Sequence, residues 1–217
     1  MPDTELNELN HTNKKDLNIF KMFTSPSDEF KKLKGPYSLM GPIIVMMVLL
    51  LFFTLLLAVV MESGNITAIS GIMIFGVLFS FIGIFIGFLF AGVILWGIAH
   101  IFGGNIGFKQ AVSIQILTSI IGVLGGVINT VIAVIFSLNV EGQYTGLGGL
   151  VAQENPVWAF LSVLDIFTIW SGILVALGIK IVTSLSWGKS IVVMLLTILI
   201  PAFFSFIINT ILSGMPV

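Results

Sequence analysis

All nine basic residues of this chain are lysines, and they fall on alternate sides of its long apolar runs. The five runs are Tyr37–Met61, Gly71–Ile98, Ala111–Leu138, Val157–Ile179 and Ile191–Met215. The segment before the first carries Lys14, Lys15, Lys21, Lys31, Lys32 and Lys34. Lys109 lies between the second and third runs, and Lys180 and Lys189 lie between the fourth and fifth. The other connections and the C-terminal end carry none. Lys resists translocation, so the alternation predicts a multi-pass cell-membrane protein with a cytosolic N-terminus and an extracytosolic C-terminus. Glu62, Glu141 and Glu154 then lie outside.

A bilayer core of about 30 Å needs roughly 20 apolar residues in a helix, and each run meets that length. Barrel strands alternate over roughly ten residues, which these continuous runs do not. With 57% hydrophobic and 9% charged residues, a soluble globular domain is excluded. There is no cysteine, so disulfides and thiolate chemistry are excluded as well. The predicted fold is all-α: a polytopic membrane bundle of five transmembrane helices preceded by a cytosolic amphipathic helix. Residues 1–16 read as a disordered cytosolic tail, 17–36 as the interfacial helix and 37–217 as the membrane domain.

The tail has its own punctuation. Leu17, Phe20 and Phe23 recur at helical spacing beside Lys14, Lys15 and Lys21. Ser25-Pro26-Ser27-Asp28 reads as a helix start, with Ser25 as cap, Pro26 in the first turn and Asp28 as the capping-box acid. Phe30 and Leu33 give an apolar edge, and Lys31, Lys32 and Lys34 a basic one. An element of this kind lies at headgroup level and attracts anionic lipid. Phe30, Lys31, Lys32, Lys34, Lys109 and Lys189 are the expected cytosolic interface.

Helices in lipid associate through close packing, so small residues mark seams. The second run carries Gly76, Ser80, Gly83 and Gly87, and the third carries Gly122 and Gly126. These are the expected packing faces, within the bundle or toward another chain, and a homo-oligomer is compatible with them. Pro201 is expected to bend the fifth run.

Asp165 is the one acid well inside a run. Counting along the helix puts it ~13 Å from the outer end, near mid-depth. A lone carboxylate there costs ~2.5 kcal/mol or more, so partners are expected. Ser162 and Thr168 share its face, and Asn129, Thr130 and Ser205 fall at similar depth. Two readings stay open: a hydrogen-bonded structural clasp, or a proton or cation relay in a small transporter or channel.

No phosphate-binding loop, zinc-binding HExxH, nucleophile elbow or paired catalytic carboxylate occurs. His100 has no second ligand at metal spacing and reads as interfacial. No catalytic residue, metal, cofactor or nucleic-acid partner is expected.

Three stretches carry a family resemblance. Phe23-Thr24-Ser25-Pro26-Ser27-Asp28-Glu29-Phe30 resembles the "SPxxxF" entry of Yip-domain membrane proteins. His100-Ile101-Phe102-Gly103-Gly104-Asn105-Ile106-Gly107-Phe108-Lys109-Gln110-Ala111 resembles the family's loop between its second and third spans. Leu164-Asp165-Ile166-Phe167-Thr168-Ile169-Trp170 resembles its fourth-span motif. The likeness covers nearly the whole chain from Phe23, and the Arg-free composition resembles prokaryotic members. It implies a non-enzymatic integral membrane protein. Eukaryotic relatives work with small Rab-type GTPases in vesicle traffic, and some prokaryotic ones are encoded beside exporter components. The expected role is therefore a scaffold, assembly or trafficking factor, with membrane lipids and another membrane protein or exporter complex as partners. A small transporter using Asp165 is the alternative.

Overall fold

The computed structural model describes residues 14–61, 71–139, 142–152 and 155–213. Residues 1–13 of the expected tail and the outer acids Glu62, Glu141 and Glu154 lie outside the described residues, as do the side chains of Gly76 and Ser80. The described chain is an all-α membrane helix bundle. Strand β1 (Lys15–Asp16) pairs in parallel with β2 (Tyr37–Ser38). Between them lie a 3-10 turn at Ile19–Met22 and helix α1 (Pro26–Lys32). The apolar helices follow: α2 (Met40–Met61), α3 (Gly71–Ile101) and α4 (Phe108–Ile135). The short α5 (Trp158–Leu161), then α6 (Ile166–Thr183) and α7 (Trp187–Ser213), complete the chain. Among the described residues, four stretches are long and apolar enough to cross a membrane: Ile82–Ile101, Phe108–Ile135, Ile166–Thr183 and Trp187–Ile211. Met40–Leu56 of α2 is a shorter apolar stretch.

Helix α4 is the centre of the bundle. It packs on α2, α3 and α6, and α6 packs in turn on α7. Ile114, Leu117 and Ile121 on α4 and Ile179 on α6 are fully buried between these elements. The fourth apolar run is not one helix. Residues 162–165 interrupt it, and α6 begins only at Ile166, because Asp165 has extended backbone and caps the helix instead of continuing it.

The expected seam residues fall into two sets. Among the described residues, a Cβ built on Gly83, Gly87 or Gly122 meets nothing within 4 Å, and all three glycines are exposed. A Cβ built on Gly126 would stand 3.0 Å from Cζ of Phe53. Tighter helix–helix approaches lie elsewhere: Gly92 against Val112 and Gly125 against Phe167. Spacing identifies a smooth stripe on a helix, but the crossing point decides which part of it meets a neighbour. Helix α3 meets α4 near Gly92, closer to its C-terminal end than Gly83 and Gly87.

The segment before α2 is not a single interfacial helix. It folds onto the bundle, with Leu17, Ile19, Met22, Phe30 and Leu33 buried. Ile19 and Met22 point inward together because a 3-10 turn repeats every three residues. Phe20 therefore faces outward at 52% exposure. Phe23 is also largely outward, its ring edge-on to Trp170 of α6.

Candidate functional site

Two polar assemblies stand at opposite ends of the bundle. The first is built around Asp165, only 4% exposed. Its Oδ1 accepts from the backbone N–H groups of Phe167 and Thr168, at 2.9 and 3.1 Å, in the manner of a helix N-cap. Its Oδ2 accepts from the Thr145 hydroxyl. Thr145 Oγ1 in turn accepts from Asn129 Nδ2 on α4 at 2.9 Å. Asn129 Oδ1 takes the N–H groups of Tyr144 and Thr145, at 2.6 and 3.1 Å. An antiparallel bridge between Gly146 and Asp165 lays the connecting loop across the start of α6. The chain Asn129, Thr145, Asp165 thus sews the loop to two helices, with donors facing both carboxylate oxygens. The positive end of the α6 dipole favours an acid at this position.

Only part of the expected cluster gathers here. Asn129 reaches Asp165 through Thr145, and Thr168 contributes its backbone N–H. Thr130 is turned to its own helix, donating to the Gly126 carbonyl at 3.0 Å. Ser162 donates to Ala159, and its carbonyl accepts from Gln143. Ser205 makes no hydrogen bond to the group among the described residues. The expectation took Asp165 as mid-helix, with Ser162 and Thr168 on its face and Asn129, Thr130 and Ser205 at similar depth on neighbouring helices. With the helix starting at Ile166, that face does not exist. Thr145 gave no sequence signal, since it lies in a loop sixteen residues from Asn129.

The second assembly clasps the N-terminal segment. Phe30, fully buried, packs on Gly178 of α6, which Ile114 of α4 also approaches. Glu29 is also fully buried. Its Oε2 accepts from the Asn18 N–H at 2.9 Å and its Oε1 pairs with Lys32 at 2.8 Å. Lys32 also donates to the Asp16 carbonyl. One acid therefore joins the 3-10 turn to α1. Asp28 does not close a capping box: Ser25 makes no side-chain cap bond, and Asp28 pairs with exposed Lys31. The Lys31 ammonium holds the Asp28 carboxyl below its ordinary range through a hydrogen bond and its charge.

The loop after α3 receives this segment. Gly103 has a positive φ of 81° that glycine adopts without strain. Gln110 accepts from the Gly107 N–H at 2.8 Å and donates to the Leu33 carbonyl at 2.7 Å. Lys109 lies over the Tyr37 ring at 4.4 Å. Lys189 donates to the Phe102 carbonyl, and Lys180 lies over the Trp187 ring. Of the expected cytosolic interface, Lys31, Lys34, Lys109 and Lys189 are exposed, Lys32 is half-buried, and Phe30 is internal. His100 bonds the Trp96 carbonyl and leans on its ring. No group of three His, Asp or Glu that could hold a metal occurs among the described residues.

The entry segment, the α3–α4 loop and the Asp165 cap are the three stretches that carry the family resemblance. The chain matches the Yip1 domain over residues 20–209. It belongs to the Yip1 domain family. It is also 24% identical over 176 residues to the membrane protein YknW of Bacillus subtilis (strain 168), covering 74% of this chain and 76% of that relative. No solved structure matches it. Within this Yip1 domain, Gln110 of the second motif donates to the carbonyl of Leu33, three residues past the end of the first. The third motif holds the acid that starts α6.

Proposed function

We propose that this chain is a non-enzymatic scaffold or assembly factor of the cell membrane, crossing it five times with its N-terminus in the cytosol. The observation that carries this reading is the state of Asp165. Both of its carboxylate oxygens are engaged by donors within the chain, in a cap that fixes a loop and the start of α6. A relay needs an acid poised to exchange a proton or ion along a path, whereas a clasp needs the satisfied network found here. Orientation is supported by Lys109 beside Tyr37 and Lys189 beside Phe102, both at the end of the bundle where the N-terminal segment docks. Exposed Lys31 and Lys34 at that end suit anionic lipid headgroups.

The deciding experiment is isolation of the tagged protein from its own membrane in mild detergent after in-cell crosslinking. A stoichiometric membrane-protein partner is the expected result. Proton- or cation-coupled flux through purified protein in liposomes, abolished by Asp165→Asn, would replace the scaffold reading with the transporter one.

A further inference from the structure

Directly beneath the Asp165 cap, the bundle holds a cavity of about 220 Å³ where α3, α4, α6 and α7 come together. Gln115, Thr168, Ser171 and Thr197 line it, with no charged residue. Two of these side chains are already used: Ser171 donates to the Thr118 carbonyl and Thr197 to the Val193 carbonyl. The Gln115 amide and the Thr168 hydroxyl have no hydrogen-bond partner among the described residues. Gln115 is half-buried, so its amide opens into the crevice; it offers two donors and an acceptor, and leaving them unpaired against lipid is costly. Gln115 lies seven residues into α4, ~10 Å along the helix from its start. Phospholipid headgroups do not sit at that depth. Gly122 and Ala91 border the cavity, and a Cβ on Gly122 meets nothing within 4 Å, so another backbone can come close.

We infer that this crevice receives one transmembrane helix of a partner protein, which presents a neutral hydrogen-bonding side chain (Asn, Gln, Ser or Thr) to Gln115. The inference rests on the scaffold reading and names where the partner docks. Neutral lining excludes a charged side chain, since no countercharge is present. The required group must arrive through the bilayer at mid-depth, which a membrane helix does.

The test uses the full-length protein in phosphatidylcholine–phosphatidylglycerol vesicles. Energy transfer reports association with a synthetic leucine–alanine membrane helix carrying one central Asn, or Leu in its place. The Asn helix is expected to bind about threefold to tenfold more tightly, the range that one interhelical hydrogen bond supplies. Gln115→Leu is expected to erase that preference. Gly122→Leu is expected to weaken both peptides without loss of thermal stability, because the site at Gly122 is open. Equal binding of the two peptides, or a preference that survives Gln115→Leu, overturns the inference. So does displacement of the Asn helix by diacylglycerol or by a second copy of this chain. A native partner that remains bound to both variants would leave the scaffold reading standing and remove this docking site.

Discussion

A Cβ placed on Gly178 would stand 3.0 Å from Cε1 of Phe30. That contact joins the N-terminal segment to the bundle, and a side chain much larger than a methyl leaves no room for the ring. Gly178→Ala is expected to be tolerated with a small loss, while Gly178→Leu expels Phe30. Phe30→Ala is expected to cost about 3–5 kcal/mol, as large aromatic truncations in a core do. Trypsin cleavage between Lys14 and Lys34 is the readout: both disruptive variants should be cut much faster than the parent.

Glu29 and Asp28 are neighbours with opposite expectations. Glu29→Leu leaves the Asn18 N–H unpaired in a buried site, at about 1–3 kcal/mol. Asp28→Asn removes only an exposed pair, and such pairs contribute little. Because the folded carboxyl of Asp28 is depressed, its contribution is present above the unfolded pKa and is lost as pH falls through the lower folded value. The melting temperatures of parent and Asp28→Asn should therefore nearly coincide at neutral pH, and any small difference should vanish only in strong acid.

The packing faces give a paired comparison. Gly125→Leu drives a side chain into Phe167, whose Cβ is 2.8 Å from the new Cβ position. Gly83→Leu enters open space. Thermal unfolding in detergent should show a large loss for the first and little change for the second.

Asp165→Asn keeps an N-cap and is expected to fold with a modest loss. Asp165→Leu leaves the Phe167 and Thr168 N–H groups and the Thr145 hydroxyl unpaired, at about 1–3 kcal/mol for each unsatisfied group. Thr145→Val should resemble a partial version of the Leu variant. Equal damage from Asn and Leu would argue against the clasp.

Single Cys probes at Glu62 and Glu141 are expected to label from outside the cell. Probes at Lys109 and Lys189 should label only after permeabilisation. Reversal at any one position would remove the proposed five-span orientation.

The bundle itself was legible in the sequence because insertion into lipid depends on local properties. Apolar runs of spanning length place α3, α4 and α7 within a few residues, since each backbone satisfies its own hydrogen bonds. The entry motif showed that a helix begins near Pro26. The family likeness was legible in ordered short motifs from Phe23 to Trp170.

What the tertiary structure decided was every choice among equivalent local options. Hydropathy reads Val157–Ile179 as one span, but the Thr145 loop gives Asp165 a better use as a cap, and the helix restarts there. Spacing marks Gly83, Gly87, Gly122 and Gly126 without saying which one a neighbour meets, and it passes over Gly125, which Phe167 approaches. Phe20 and Ile19 are adjacent and both apolar, and only the 3-10 turn turns Ile19 inward. Sequence alone determined membership of the membrane and the order of its helices, because those follow from each segment's own contact with lipid. Burial of Glu29, the Thr145 bridge and the crevice at Gln115 depend on residues far apart in the chain, which only their packing brings together.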